Sequence, residues 1–221
     1  MKVYIAGYGL TNFGELWERD LRSLGLEAAV KAIKSAGLAV KDIDAVYVAN
    51  MNSSLFTGQE HLGALFASEL NLDVPAFRVE GACASGSLAI NAAYNAILSG
   101  KYSNVLVLGV EKMTDLDVGQ ATQALAAAAD EEWESYYGAT FPSLYALIAR
   151  EHMRKYRTTR EDLALISVKN HKNGVLNPIA QFRKEITVAN VLAASPVAEP
   201  LGLLDCSPVS DGAAAVILTS I

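Results

Sequence analysis

Cysteine is scarce in this 221-residue chain, which holds only Cys83 and Cys206. Neither lies in a Cys-x-x-Cys pair or beside histidine at metal-ligand spacing, so a disulfide framework and a structural zinc are both unexpected. Histidine is nearly as rare, at His61, His152 and His171. Long apolar runs are missing too. The best stretches, around Ala124 to Ala129 and Ala213 to Leu218, fall far short of the roughly 18 residues that cross a bilayer, and no membrane association is expected. The N-terminus carries one lysine but meets Gly7, Gly9, Thr11 and Asn12 before an apolar core of signal-peptide length is complete, which makes the cytoplasm the default location. The 24 acidic and 18 basic residues leave a formal charge of −6. No block of like charge is long enough to form an arm for nucleic acid, so that partner class is not expected either.

What is present is a composition of 52% apolar and 19% charged residues with 16 glycines, which suits a folded chain with a substantial core. Val3 to Tyr8, closed by Gly7 and Gly9, reads as a first strand. Leu21, Leu24, Ala28, Ile33 and Ala36 recur at helical spacing, with Gly37 as a stop. Asp44 to Ala49 and Val105 to Val110 are nearly continuous apolar runs, as strands covered on both faces require. Gln59 to Leu70 and Cys83 to Ser99 read as helices, and Pro75 to Val79 as a strand between them. This alternation predicts an α/β layered fold with a largely parallel sheet. From residue 111 to 200 the rhythm changes to acidic, aromatic and alanine-rich stretches with helix candidates at Leu144 to Tyr156 and Arg160 to Asn170 and no comparable strand. That region reads as an inserted cover subdomain, with strand character returning at Ala213 to Thr219.

The segment Glu80-Gly81-Ala82-Cys83-Ala84-Ser85-Gly86-Ser87 places a thiol at a strand-to-helix junction among small residues. Free N–H groups at a helix start stabilise a thiolate and can also hold an oxyanion on a thioester carbonyl. A small buried core cysteine is the alternative reading from composition alone. His61 and His152 sit in helical patterns as ordinary surface or capping residues, Cys206 reads as a structural thiol, and Asp211 beside Gly212 as a turn residue. Lys169, Lys172, Arg183 and Lys184 form the one basic cluster of an acidic region; this suits phosphate groups, although exposed lysines need no ligand.

GACASGSLAI (residues 81 to 90) resembles the nucleophile segment of thiolases. Three further segments agree with that family in order: Gly109 to Thr114 (GVEKMT), Lys169 to Gly174 (KNHKNG) with Asn177 to Arg183 (NPIAQFR), and Cys206 to Ala215 (CSPVSDGAAA). The segment from Lys169 to Gly174 with Asn177 to Arg183 is most similar to the cover region of sterol-carrier-protein-type and archaeal thiolases. The resemblance covers essentially the whole chain as the N-terminal half of a thiolase. It implies a mixed five-stranded sheet with helices on both faces and the cover subdomain, residues 111 to 200, inserted after the fourth strand.

The resemblance also implies a reaction: Cys83 takes an acyl group from acyl-CoA as a covalent thioester and passes it to CoA or to an enolate-bearing acyl-CoA. Coenzyme A is then substrate, with no separate cofactor and no metal. The CoA contacts fall to Lys169, His171, Lys172, Arg183 and Lys184, His171 being equally readable as a surface residue. Thiolases carry a Gly-His-Pro-type loop and a Cys-x-Gly-Gly-type loop in a second half, and neither pattern occurs in residues 1 to 221. A homodimer, or a partner chain that brings those loops, is therefore expected. The other readings are a ketoacyl or hydroxymethylglutaryl-CoA synthase-type half and a non-catalytic CoA- or lipid-binding or scaffolding subunit.

Overall fold

The computed structural model describes residues 1 to 220. Its elements in chain order are β1 (Tyr4–Leu10), α1 (Leu21–Ser35), β2 (Ala45–Ala49), α2 (Ser53–Thr57), α3 (Leu62–Glu69), β3 (Ala76–Val79), α4 (Ser85–Leu98), β4 (Asn104–Glu111), α5 (Val118–Ala126), α6 (Phe141–Tyr156), α7 (Arg160–Leu176), α8 (Val188–Leu192), β5 (Pro196–Ala198), β6 (Leu201–Gly202) and β7 (Gly212–Thr219). They divide into two compact units, one of residues Met1–Leu116 with the stretch from Ser210 onward, the other Asp117–Val209.

The first unit is a mixed five-stranded sheet in the order β1-β7-β4-β2-β3. Strand β2 runs parallel to both β3 and β4, while β7 is antiparallel to β4 and β1. The apolar runs expected from the sequence are buried on both faces because successive side chains point to opposite sides. Val46, Val48, Leu106, Leu108 and Ile217 pack with Leu24, Ala28, Leu62 and Phe66 from α1 and α3. Their neighbours Ala45, Ala49, Val105, Val107 and Leu218 pack with Ala89, Ala93 and Ile97 from α4. Helix α1 opens at Asp20, whose carboxylate accepts from the Ser23 N–H at 2.8 Å. It ends one residue before the expected stop region, where Gly37 takes φ +70°, a conformation glycine adopts without steric cost.

The helix expected over Gln59 to Leu70 is α3, which starts three residues later, at Leu62; a separate short helix, α2, lies before that span and was not expected. Gly58 turns left-handed at φ +69° and closes α2, and His61, also left-handed at φ +57°, precedes α3. His61 is therefore a junction residue and not a helical one.

The second unit is mostly helical. Thr140 and Ser143 cap α6 reciprocally, with Pro142 in its first turn, so the helix begins at Phe141, before the expected Leu144. Thr159 and Asp162 cap α7, which runs past Asn170 to Leu176. Sequence reading missed α5, α8 and the hairpin β5–β6. The hairpin has strands of three and two residues, too short to show alternation. Arg160 makes a two-point ion pair with Asp205, fixing the start of α7 to the turn after β6.

Candidate functional site

Strands β2, β3 and β4 point the same way, so the segments following them gather at one edge of the sheet, where ligands bind in open α/β sheets. Cys83 follows β3 there. It occupies the middle of a single 3₁₀ turn, Ala82–Ala84, that leads into α4; the helix proper starts at Ser85, two residues later than expected from the sequence. The thiol is exposed, which removes the reading of Cys83 as a buried core residue.

The turn is tightly held. Ala82 has φ +49°, a left-handed conformation that costs a non-glycine residue about 1–3 kcal/mol and persists only where surroundings enforce it. The surroundings here are specific. The Ser85 hydroxyl accepts from the Gly81 N–H (3.0 Å) and donates to the Ala82 carbonyl (2.7 Å). The Ala82 N–H donates to Glu80 Oε1 (2.5 Å), and the Ala84 N–H to the Gly81 carbonyl (2.9 Å). Gly81 is pressed against Leu88, whose Cδ1 lies 2.2 Å from where a Cβ would sit, whereas a Cβ on Gly86 would meet open space. The first turn of α4 thus presents clear room beside an exposed sulfur.

Next to this turn, Asn50 and Glu111 link the loops after β2 and β4. Asn50 Nδ2 donates to the Val110 carbonyl and to Glu111 Oε1, both at 2.8 Å, and the Met51 N–H donates to Glu111 Oε2 at 2.9 Å. Burial pushes the Glu111 carboxyl above its ordinary range; the N–H bonds and the charge of Arg78 oppose that rise without cancelling it. Arg78 Nη2 donates to the Met51 carbonyl at 2.7 Å, and its Nη1 to Glu60 at 3.0 Å.

Asp211 is more than the turn residue expected. Its carboxylate is fully buried and accepts from the N–H groups of Leu16, Met113 and Thr114, from the Thr114 hydroxyl and from Lys112 Nζ at 2.8 Å. Lys112 is equally enclosed, pairs also with Asp115 at 2.6 Å and lies over the Trp17 ring. Burial alone would raise the Asp211 carboxyl, but these bonds together hold it below the ordinary range. Burial likewise works against the Lys112 ammonium, and its two carboxylate partners outweigh it and raise its pKa.

In the helical unit, Lys169, His171 and Lys172 lie on α7, while Arg183 and Lys184 follow it. His171 joins the two stretches: its Nδ1 is 3.1 Å from the Lys184 carbonyl, and its ring stacks on Phe182. Arg183 donates to the Val175 carbonyl at 3.4 Å. His152 pairs through Nδ1 with the Thr158 hydroxyl at 2.9 Å and packs on Tyr156, a surface role. Cys206 is half-buried, and burial first, then the charge of Asp205, pushes its thiol pKa up. Among the described residues no cluster of three His, Cys, Asp or Glu could hold a metal ion, and no helix is long and apolar enough to cross a membrane. Sequence reading placed Glu111 and Lys112 in the GVEKMT segment without giving either a role, and it did not single out Asn50. The available signal was a charged Glu-Lys pair directly after the most apolar strand.

Fold and site together define a layered α/β protein with an exposed cysteine at the turn between a parallel strand and a helix. Residues 3–221 match the thiolase N-terminal domain, and the chain belongs to that family. It is 55% identical over 98% of its length to an acetyl-CoA acetyltransferase of Methanocaldococcus jannaschii, and 36% identical over 99% to the benzoylsuccinyl-CoA thiolase subunit BbsB of Thauera aromatica. The solved structure of an Ltp2-ChsH2(DUF35) aldolase superposes with a TM-score of 0.81, at 28% identity over 99% of this chain. In each case the chain spans 55% of the other protein's length.

Proposed function

We propose that this chain is the nucleophile-bearing portion of a thiolase-type acyl-CoA acyltransferase. The observation that carries the reading is the exposed Cys83 thiol, held on a strained turn at the start of α4 with open space beside Gly86. The Cys83 thiolate attacks the carbonyl carbon of an acyl-CoA. The carbon–sulfur bond to CoA breaks, the CoA sulfur takes up a proton, and the acyl group remains on Cys83 as a thioester. A second CoA thiol, or the enolate of a second acyl-CoA, then attacks that carbonyl and releases Cys83. Backbone N–H groups of the first turn of α4 suit the oxyanion formed in each step. CoA thioesters serve as substrates, without a separate cofactor.

Lys169, His171, Lys172, Arg183 and Lys184 are the CoA contacts in this reading. Their support is the His171–Lys184 contact, which brings the two basic stretches together. A general base and a proton donor come from a second half or a partner chain, because His152 is engaged with Thr158 and His61 is a backbone junction residue. The outer side of α4 supports such a partner: Leu88, Ile90, Tyr94 and Leu98 are all exposed, an apolar surface of the kind that marks an interaction site. A second copy of the chain is the simplest alternative occupant. The names of two relatives, one a thiolase subunit and one a two-component aldolase, fit an assembly of this kind. The cytoplasm is the proposed location.

The test is turnover. Each well-placed acid or base contributes about 10²- to 10⁴-fold in rate, so the 221-residue chain alone should cleave acetoacetyl-CoA with CoA at no more than a trace rate. Addition of a chain bearing the histidine and second-cysteine loops should restore the reaction. Sustained turnover by the purified chain on its own would overturn the proposal.

A further inference from the structure

The nucleophile turn is held from inside by Ser85 and Glu80, but the strand that delivers it is held from outside. The Asn50 N–H donates to the Val79 carbonyl at 3.3 Å, the last β3 residue before the turn. Arg78, one residue earlier, reaches back to the Met51 carbonyl. The end of β3 therefore rests on the loop Asn50 to Asn52. That loop in turn hangs on one side chain from the far side of β2: Glu111, whose two oxygens accept separately from Asn50 Nδ2 and the Met51 N–H, with a further N–H bond from Asn52. The Asn50 side chain closes the arrangement by accepting from the Ser53 N–H at 3.0 Å.

We propose that Glu111 is a positioning residue for the Cys83 turn, acting through the Asn50–Asn52 loop and the end of β3. This rests on the reading of Cys83 as the acylated thiol. A carboxylate is suited to the task because both of its oxygens accept, so it can bind two donors facing it from one loop. A glutamine of the same shape offers only one acceptor and turns an NH₂ toward the other donor. That leaves a buried donor unpaired and lets the loop shift. Displacements of about 1 Å in a supporting element can cost up to about 100-fold at a reacting atom. The effect expected here is smaller, since the turn keeps its internal bonds to Ser85 and Glu80.

The experiment is iodoacetamide labelling of both thiols in the native 221-residue chain, read by peptide mass spectrometry, for wild type, Glu111→Gln and Arg78→Lys. Glu111→Gln should slow Cys83 about tenfold and leave Cys206 at its wild-type rate. Arg78→Lys, which cannot span both Met51 and Glu60, should slow Cys83 about threefold in the same selective way; it serves as the deciding variant if Glu111→Gln does not fold. An unchanged Cys83 rate in a folded variant overturns the proposal. So does a parallel rise at both thiols, which would mean that Glu111 only stabilises the fold. A wild-type Cys83 no faster than Cys206 would instead count against the acylation reading, while the ratio of variant to wild-type rates at Cys83 still decides the role of Glu111.

Discussion

The two units of this chain reach order by different means. In the sheet unit the enclosed side chains are large: Leu24, Ile43, Phe66, Leu106, Leu108 and Ile217 are excluded from water. In the unit of residues 117 to 209 the buried hydrophobic side chains are Ala121, Ala124, Ala146, Ala164 and Val191, while Trp133, Tyr136 and Leu176 are 76%, 77% and 82% exposed. That unit depends on reciprocal helix caps, a short hairpin and the Arg160–Asp205 pair. The difference assigns roles. A close-packed sheet can hold a strained turn and an exposed sulfur in fixed geometry, whereas a lightly cored unit with outward aromatic groups is built to meet other molecules.

If the sheet unit carries the stability, its buried ion pair should matter most. Asp211→Ala takes from the Lys112 ammonium its buried partner, leaving it the half-exposed Asp115, and removes the acceptor of three N–H groups; it should cost about 3–5 kcal/mol in chemical denaturation. Replacing both partners, as in Lys112→Met with Asp211→Leu, should recover only the part of the loss due to the ammonium, because the N–H groups of Leu16, Met113 and Thr114 still lack their acceptor. The pH dependence has a definite sign. The Asp211 carboxyl is held below its unfolded value, so its contribution is present above the ordinary carboxylate range and is lost as pH falls through the folded value. Lys112 is raised, so its share is lost only as pH rises through its folded value. Wild type should therefore show a steeper decline in stability toward acid than the double variant.

Arg160→Ala should cost less, about 1–3 kcal/mol, since Asp205 loses its charged partner while the site is only partly enclosed. A loss equal to that of Asp211→Ala would erase the contrast between the units. Smaller again is the effect expected on ligand binding. Replacing Arg183 and Lys184 with glutamine should weaken CoA several-fold in titration calorimetry and flatten its salt dependence, because exposed phosphate contacts are screened. Unchanged affinity would move the CoA contacts elsewhere. Smallest of all, Trp133→Ala or Leu165→Ala should shift stability by no more than about 0.5 kcal/mol; a larger loss would reveal a core that the exposed positions of these side chains do not show.

The sheet was legible because burial on both faces writes apolar runs into the sequence, as in Ala45–Ala49 and Asn104–Glu111. The position of Cys83 at the end of β3 was legible for a local reason, the crowding of small residues around it. What escaped was non-local. Asp211 takes its partners from 97 and 195 residues away, and Glu111 from about 60, so neither role leaves a spacing to read. The helices α5 and α8 were missed despite a local signal, since Asp117 with Gln120 and Thr187 with Asn190 form capping pairs at their starts. The left-handed His61 had no signal at all, because nothing in Gln-Glu-His-Leu requires a break.

The central claim is that Cys83 accepts an acyl group, and intact-protein mass spectrometry after incubation with acetyl-CoA tests it most directly. The expected result is one acetyl group per chain, mapped to Cys83, slow to form and absent from Cys83→Ala. An unmodified wild-type chain, acetylation at Cys206, or an adduct that persists in Cys83→Ala would contradict it.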